Sequence, residues 1–153
     1  IARDDLHPER VQPLRDEQLR YRVYTLGKAI VSCQSAVEAL GKARLYVLID
    51  GGGREKLDEA AYRLRVESLV TAGVDVLQLR DKSLDDRTLL ARATLIRQIT
   101  RGTGALLIIN DRADIAAACQ ADGVHLGQED LPVHVARQIV GTSALIGVST
   151  NPS

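Results

Sequence analysis

The stretch ADGVHLGQEDLP, Ala121 to Pro132, decides how this chain reads. Gly123 to Leu126 is too short and too apolar for anything but a buried strand, and it runs straight into a turn carrying Gln128, Glu129 and Asp130. Leu131 and Pro132 then begin a helical pattern, so the acidic pair falls at a strand-to-helix turn. In an α/β protein such turns lie at the carboxyl end of the sheet, where ligands bind. Asp130 has a bland reading as a helix N-cap and a sharp one as a ligand group. A second turn of the same kind favours the sharp one: the apolar run Leu106 to Ile109 ends in Asn110, Asp111 and Arg112. Carboxylates on neighbouring turns suit Mg²⁺, which takes one or two protein carboxylates and fills its other positions with water and phosphate oxygens.

Around this stretch the chain alternates strand and helix. The expected strands are Leu45 to Ile49, Val74 to Arg80, Ala105 to Ile109, Gly123 to Leu126 and Ala144 to Val148. Helical patterns fill the gaps. Glu55 to Thr71 sets Leu57, Ala61 and Leu64 on one face; Leu84 to Arg101 follows Ser83 as N-cap; Ala113 to Cys119 is short and Ala-rich; Val133 to Val140 stops at Gly141. Regular βα alternation means parallel strands, in an open doubly wound sheet or in part of a (β/α)₈ barrel. Polar residues follow every strand: Asp50, Arg80 to Lys82, Asn110 to Arg112, Gln128 to Asp130, and Ser149 with Thr150. A barrel gathers such residues around one mouth, whereas an open sheet gathers them at one switch point, so the pattern favours a TIM barrel of which about the first five β/α units are present.

Strand two carries the most chemistry. Side chains alternate faces with a period of two, which puts Gln78, Arg80 and Lys82 on one face and Leu77 and Leu79 on the other. Two cations and an amide on an inner face receive an anion well: Arg grips phosphate oxygens with a bidentate fork, and Lys adds a mobile point charge. The competing reading pairs Arg80 with Asp81 or Glu129 as a structural ion pair. Gly51-Gly52-Gly53 lacks P-loop and GxGxxG spacing and reads as a flexible turn. His125 has no metal spacing to His7 or His134 and reads as a hydrogen-bonded core histidine in preference to a catalytic base. Ser149 shares the parity of Gly147 and should face inward, to bind a phosphate oxygen or to cap a helix. No GxSxG elbow supports a nucleophilic Ser.

The rest of the chain bounds the function. Twenty Lys and Arg balance twenty Asp and Glu, which argues against a general nucleic-acid or membrane-surface role. Four Tyr with no Phe or Trp leave no base-stacking platform. Cys33 and Cys119, without CxxC spacing, read as buried reduced thiols, which fits a cytoplasmic protein; no apolar run reaches membrane-spanning length. Between Asp16 and Leu40, Leu19, Val23, Leu26, Ile30, Cys33, Val37 and Leu40 form a heptad seam, read as packing against other helices, with a domain boundary near Ala43. Ile1 at the start and Ser153 directly after a strand lead us to expect a chain cut at both ends. Its open sheet edges would favour association in isolation.

Taken together, QLRDK (Gln78 to Lys82), INDR (Ile109 to Arg112), GVHLGQEDLP (Gly123 to Pro132) and IGVST (Ile146 to Thr150), with LYVLID at the first strand, resemble the thiamine-phosphate synthase family over Leu45 to Thr150. That family is a (β/α)₈ barrel joining hydroxymethylpyrimidine diphosphate to a thiazole phosphate, with release of pyrophosphate. The resemblance implies that Gln78, Leu79, Arg80, Asp81 and Lys82 hold the pyrimidine diphosphate, with Arg80 and Lys82 as the catalytic cations. It further implies that Asn110 and Ser149 contact that substrate, and that Asp111 and Asp130 bind Mg²⁺. Small molecules are the implied partners, without nucleic acid or membrane, and self-association through the N-terminal helix is the further expectation. The family's Thr-rich loop and late Gly-rich turns, which bind the thiazole phosphate, have no counterpart here, and Asn151 stands where the family commonly has His. Residues 1–43 resemble the end of a helical N-terminal domain, and 44–153 the first part of the barrel. Two other readings compete: a thiazole tautomerase on the same fold, which needs no diphosphate site, and a non-catalytic phosphate-binding or assembly module.

Overall fold

A computed structural model describes residues 36–53 and 57–150. Strands β1 (Tyr46–Ile49), β2 (Val76–Leu79), β3 (Leu106–Asn110), β4 (Gly123–Leu126) and β5 (Leu145–Val148) alternate with helices α1 (Glu59–Thr71), α2 (Asp86–Thr100), α3 (Ala113–Cys119) and α4 (Val133–Val140). The strands are parallel and lie side by side in chain order, β1-β2-β3-β4-β5. A doubly wound sheet reverses its strand order at a switch point, and this sheet does not reverse. It is the wall of a barrel, as the spread of polar strand ends implied. No helix among the described residues is long and apolar enough to cross a membrane.

Alternation along each strand sorts the two faces. Leu77, Leu79, Leu107, Ile109, Val124 and Leu126 turn outward and form one core with Tyr62 and Val66 of α1, Ala93 and Ile96 of α2, Ala116 of α3 and Ala136 of α4. The opposite face is packed at its lower end, where Val76, Leu106 and Ile108 meet Leu145 and Ala36, Ala39 and Ala43. Residues 36–42 are helical, so the last turns of the N-terminal segment rest on the floor of the sheet. The Asp75 carboxylate fixes that junction by accepting the backbone N–H groups of Arg44 (2.8 Å) and Leu45 (2.9 Å). Most of the heptad seam, with Cys33, lies outside the described residues; its last members, Val37 and Leu40, are 54% and 42% exposed. Cys119 is buried, and burial pushes its thiol above the ordinary range.

Three local expectations need correction. Helix α1 begins after Asp58, whose side chain accepts the Ala61 N–H, so Leu57 precedes the helix. Its buried face is Tyr62 and Val66, while Leu64 is 63% exposed. The heptad-like spacing of Leu57, Ala61 and Leu64 was outweighed by Tyr62, the largest side chain that the wall encloses. Helix α2 is capped by Asp85, which accepts both the N–H and the hydroxyl of Thr88, and not by Ser83. Helix α4 runs Val133–Val140 as expected, but its N-cap is Pro132 with no side-chain cap bond, so the reading of Asp130 as that cap falls. The first correction is testable: Val66→Ala is expected to cost about 2 kcal/mol of stability, whereas Leu64→Ala should stay within about 0.5 kcal/mol. Urea midpoints at unchanged slope report both.

Candidate active site

The carboxyl ends of the strands surround a cavity of about 590 Å³ lined by Gln78, Arg80, Lys82, Asn110, Asp111, Asp130 and Ser149, together with Tyr46, Leu48, His125, Gly127, Gln128 and Glu129. These residues come from four turns and the inner faces of the strands. Alternation along β2 turns Gln78 to the cavity and sends Leu79, 1% exposed, into the helix-facing core; because the strand ends at Leu79, Arg80 and Lys82 reach the cavity from the turn that follows. The Leu79 side chain therefore does not reach the mouth, and only its main chain is available for a ligand contact.

Arg80 is exposed and has no ion-pair partner among the described residues, so the structural pairing with Asp81 or Glu129 is not formed. Lys82 Nζ stands 3.2 Å from Asp111 Oδ2. Asp111 is in the left-handed region at φ 63°, a conformation that Asp tolerates better than most residues. Two backbone bonds hold the turn there: the Asp111 N–H donates to the His125 carbonyl (2.8 Å) and the Arg112 N–H to the Asn110 carbonyl (2.8 Å). Backbone strain of this kind clusters at functional sites. Arg112 itself is engaged away from the cavity, bridging Asp86 and Asp114 at 2.6 Å each.

Asp130 closes its own turn, with Oδ2 accepting the Gly127 N–H at 2.6 Å. It does not cap α4, and its second oxygen has no partner among the described residues. Asp111 and Asp130 thus line one cavity from adjacent turns, although no group of three or more His, Cys, Asp or Glu among the described residues is placed to hold a metal. Two carboxylates are too few for a dedicated protein cage, and they match the one or two that Mg²⁺ takes from protein where water and phosphate oxygens fill the rest.

Asp81 has a different task. Its Oδ2 accepts the Gly51 N–H (3.0 Å), and its Oδ1 accepts the Ser83 N–H (2.8 Å) and hydroxyl (2.6 Å), so it ties the turn after β2 to the turn after β1. The glycine turn is packed: Gly51 and Gly52 are buried, and the Gly52 N–H donates to Asp50 Oδ1 at 2.8 Å. With both amides engaged it offers no phosphate cradle, and its burial replaces the flexible turn read from the sequence.

His125 lies in the cavity wall, not in the core, and its Nε2 is 2.8 Å from Ser149 Oγ. Gly147, its register partner, makes room for the ring: a Cβ there would approach His125 Nδ1 to 2.8 Å. Sequence reading missed Tyr46. Its hydroxyl donates to Gln78 Oε1 (2.6 Å), and Gln78 Nε2 donates to Asn110 Oδ1 (2.6 Å). Parity was the available signal, since Tyr46 precedes Leu48 and Asp50 by even steps on the inward face of β1.

Several carboxylates sit below their ordinary pKa. Backbone N–H bonds from Arg44 and Leu45 lower Asp75, the Thr88 N–H lowers Asp85, and the Arg112 guanidinium lowers Asp114. For Asp81, burial acts upward but the bonds from Ser83 and Gly51 outweigh it. Each folded value lies below the unfolded one, so each stabilisation is complete above the unfolded pKa and is lost as pH falls through the folded value. The melting temperature is expected to hold from neutrality down to about pH 5 and to drop below about pH 4. A calorimetric pH series checks this.

The chain is similar to known proteins over most of its length. The family model for thiamine monophosphate synthase matches residues 45–153. A thiamine-phosphate synthase of Rhodopirellula baltica is 46% identical over 139 residues, covering 88% of this chain and 36% of that protein. One from Nostoc punctiforme is 42% identical over 134 residues, covering 88% of this chain and 36% of the relative. One from Thermobifida fusca is 47% identical over 112 residues, 73% of this chain and 50% of the other. A solved thiamine phosphate pyrophosphorylase from Pyrococcus furiosus superposes with a TM-score of 0.57 at 36% identity, over 71% of this chain and 50% of that one. The chain therefore spans roughly a third to a half of the length of these curated relatives.

Proposed function

The chain belongs to the thiamine monophosphate synthase family, and from that premise we propose that its cavity is the pyrimidine diphosphate half of a transferase site in thiamine biosynthesis. One observation supports this reading above the others: Gln78, Arg80, Lys82, Asn110, Asp111, Asp130 and Ser149 line a single mouth. In the reaction, the bond between the pyrimidine methylene carbon and its diphosphate oxygen breaks, and the electron pair leaves on the diphosphate. The thiazole nitrogen of the second substrate then gives its lone pair to the same carbon. Such a dissociative step needs charge stabilisation and positioning more than a general base.

The residues divide that work. Arg80 and Lys82 hold the diphosphate oxygens and offset the charge that grows on them. Asn110 and Gln78 orient the pyrimidine, and Ser149, held by His125, adds a hydroxyl to the same substrate. Asp111 and Asp130 would hold Mg²⁺, which when bound would further neutralise the leaving group. Lys82 Nζ, 3.2 Å from Asp111 Oδ2 and on an exposed side chain, is within reach of both that carboxylate and a diphosphate held by Arg80. A tautomerase needs no diphosphate site, so the set of Gln78, Arg80, Lys82, Asn110, Asp111 and Asp130 around one mouth favours the synthase. We place the reaction in the cytoplasm, and the N-terminal segment with its seam in a separate helical unit.

The test is to supply the aminopyrimidine diphosphate and the thiazole phosphate with Mg²⁺ to the protein, using this chain and any longer natural chain that contains it. Thiamine phosphate and pyrophosphate should appear in equal amounts from a chain that also holds the thiazole half. Isomerisation of a thiazole carboxylate phosphate, without pyrophosphate release, would replace the synthase reading by the tautomerase.

A further inference from the structure

We propose that Tyr46 is a positioning residue that sets the hydrogen-bonding polarity of the pyrimidine site through Gln78 and Asn110. The inference rests on the pyrimidine diphosphate reading and deepens it. Three side chains on three adjacent strands form one directed chain: Tyr46 hydroxyl to Gln78 Oε1 at 2.6 Å, then Gln78 Nε2 to Asn110 Oδ1 at 2.6 Å. The steps are diagonal. Tyr46 is in register with Val76 and reaches up two residues to Gln78, while Gln78 is in register with Ile108 and reaches up two to Asn110. This stagger is what tilted strands of a barrel wall require for groups to meet at one height.

Polarity follows from the chemistry of the first member. A side-chain amide pair alone is nearly degenerate, because either amide can donate and the other accept. A phenol hydroxyl is a strong donor and a weak acceptor, since its lone pair is delocalised into the ring. Burial pushes the Tyr46 phenol above its ordinary pKa, so it stays protonated. Its proton takes Gln78 Oε1, Gln78 must then present Nε2 to Asn110, and that bond holds Asn110 Oδ1 toward β2. What Asn110 has left for the cavity is the Nδ2 group with its N–H donors. The site is therefore built for a ligand with an acceptor at that point, as the ring nitrogens of an aminopyrimidine are, and against one with a donor there.

Tyr46→Phe removes only the hydroxyl and keeps the ring. Binding of two probes is compared by titration with Mg²⁺ present: inorganic pyrophosphate, which lacks the ring, and the aminopyrimidine diphosphate. Affinity for the second is expected to fall about tenfold while pyrophosphate affinity stays within about twofold, since one relayed bond is worth about 1 to 1.5 kcal/mol. A readout without ligand is the side-chain amide signals of Gln78 and Asn110 in ¹⁵N-correlated NMR, which should shift in Tyr46→Phe. Unmoved signals, or equal loss of both probes, would overturn the proposal. Shifted signals in a protein that never prefers the pyrimidine diphosphate over pyrophosphate would keep the relay and overturn the substrate reading instead.

Discussion

Arg80→Ala is expected to weaken pyrophosphate binding about 100-fold and to leave the unfolding midpoint where it was. The size follows from the loss of a bidentate, charge-assisted grip, with hydrogen bonds to charged groups worth about 1.5 to 3 kcal/mol and each 1.4 kcal/mol worth about tenfold in affinity. The absence of a stability effect follows from the surroundings: Arg80 is exposed and carries no ion pair among the described residues, so folding does not depend on it. Arg80→Lys restores the charge without the planar fork and should recover only part of the affinity. Titration of pyrophosphate into each variant, beside a urea melt, reads both halves. A variant that binds as well as the parent would remove the cationic face from the site.

Tyr62→Ala is expected to cost about 3 to 5 kcal/mol of stability, the range for deleting a fully enclosed aromatic ring. Tyr62 is 0% exposed and packs into the outward core. Its hydroxyl donates to the Asp50 carbonyl at 2.9 Å, and the Arg92 guanidinium lies 4.5 Å from the ring centroid while its Nη2 donates to the Leu57 carbonyl at 2.7 Å. One ring thus ties α1, α2 and the turn after β1 together. Tyr62→Phe keeps the ring and loses the hydroxyl bond, so about 1 kcal/mol is expected. Chemical denaturation of the two variants separates packing from hydrogen bonding, and a small loss in Tyr62→Ala would mean that the wall does not close over this residue.

The barrel wall was legible because two signals agreed. Short apolar runs marked the strands, and polar residues at the end of each one marked a shared mouth. The parallel, unreversed strand order bears that out. The face of α1 was not legible. Spacing put Leu64 on one face with Leu57 and Ala61, yet burial was decided by which side chain fitted between sheet and α2, and Tyr62 filled that space. Caps were misplaced for a similar reason: Ser83, Asp85 and Asp130 are all capping types, and only the fold shows that Ser83 binds Asp81, Asp85 caps α2 and Asp130 closes its turn.

In the mouth, alternation on β2 located Gln78, Arg80 and Lys82, and parity on β5 located Ser149. Asp81 was grouped with them by the resemblance, but in the turn after β2 its carboxylate accepts the Gly51 and Ser83 N–H groups. His125 looked like core because it stands in an apolar strand, and Gly147 on the next strand is what lets its ring reach Ser149. Tyr46 was missed for a different reason: parity on β1 gave its face, but its bond is to a diagonal partner on another strand, which no local pattern encodes.

Whether the mouth is a diphosphate site is best asked by isothermal titration of pyrophosphate, with and without Mg²⁺, into the protein and its Asp111→Asn and Asp130→Asn variants. Asn tolerates the left-handed backbone at position 111 and keeps an oxygen for the Gly127 N–H at position 130, so both substitutions remove charge with little change of shape. Binding that requires Mg²⁺ and is lost in both variants is the expected result. Binding that ignores the metal and survives in both would contradict it, and would leave the two carboxylates as turn formers only.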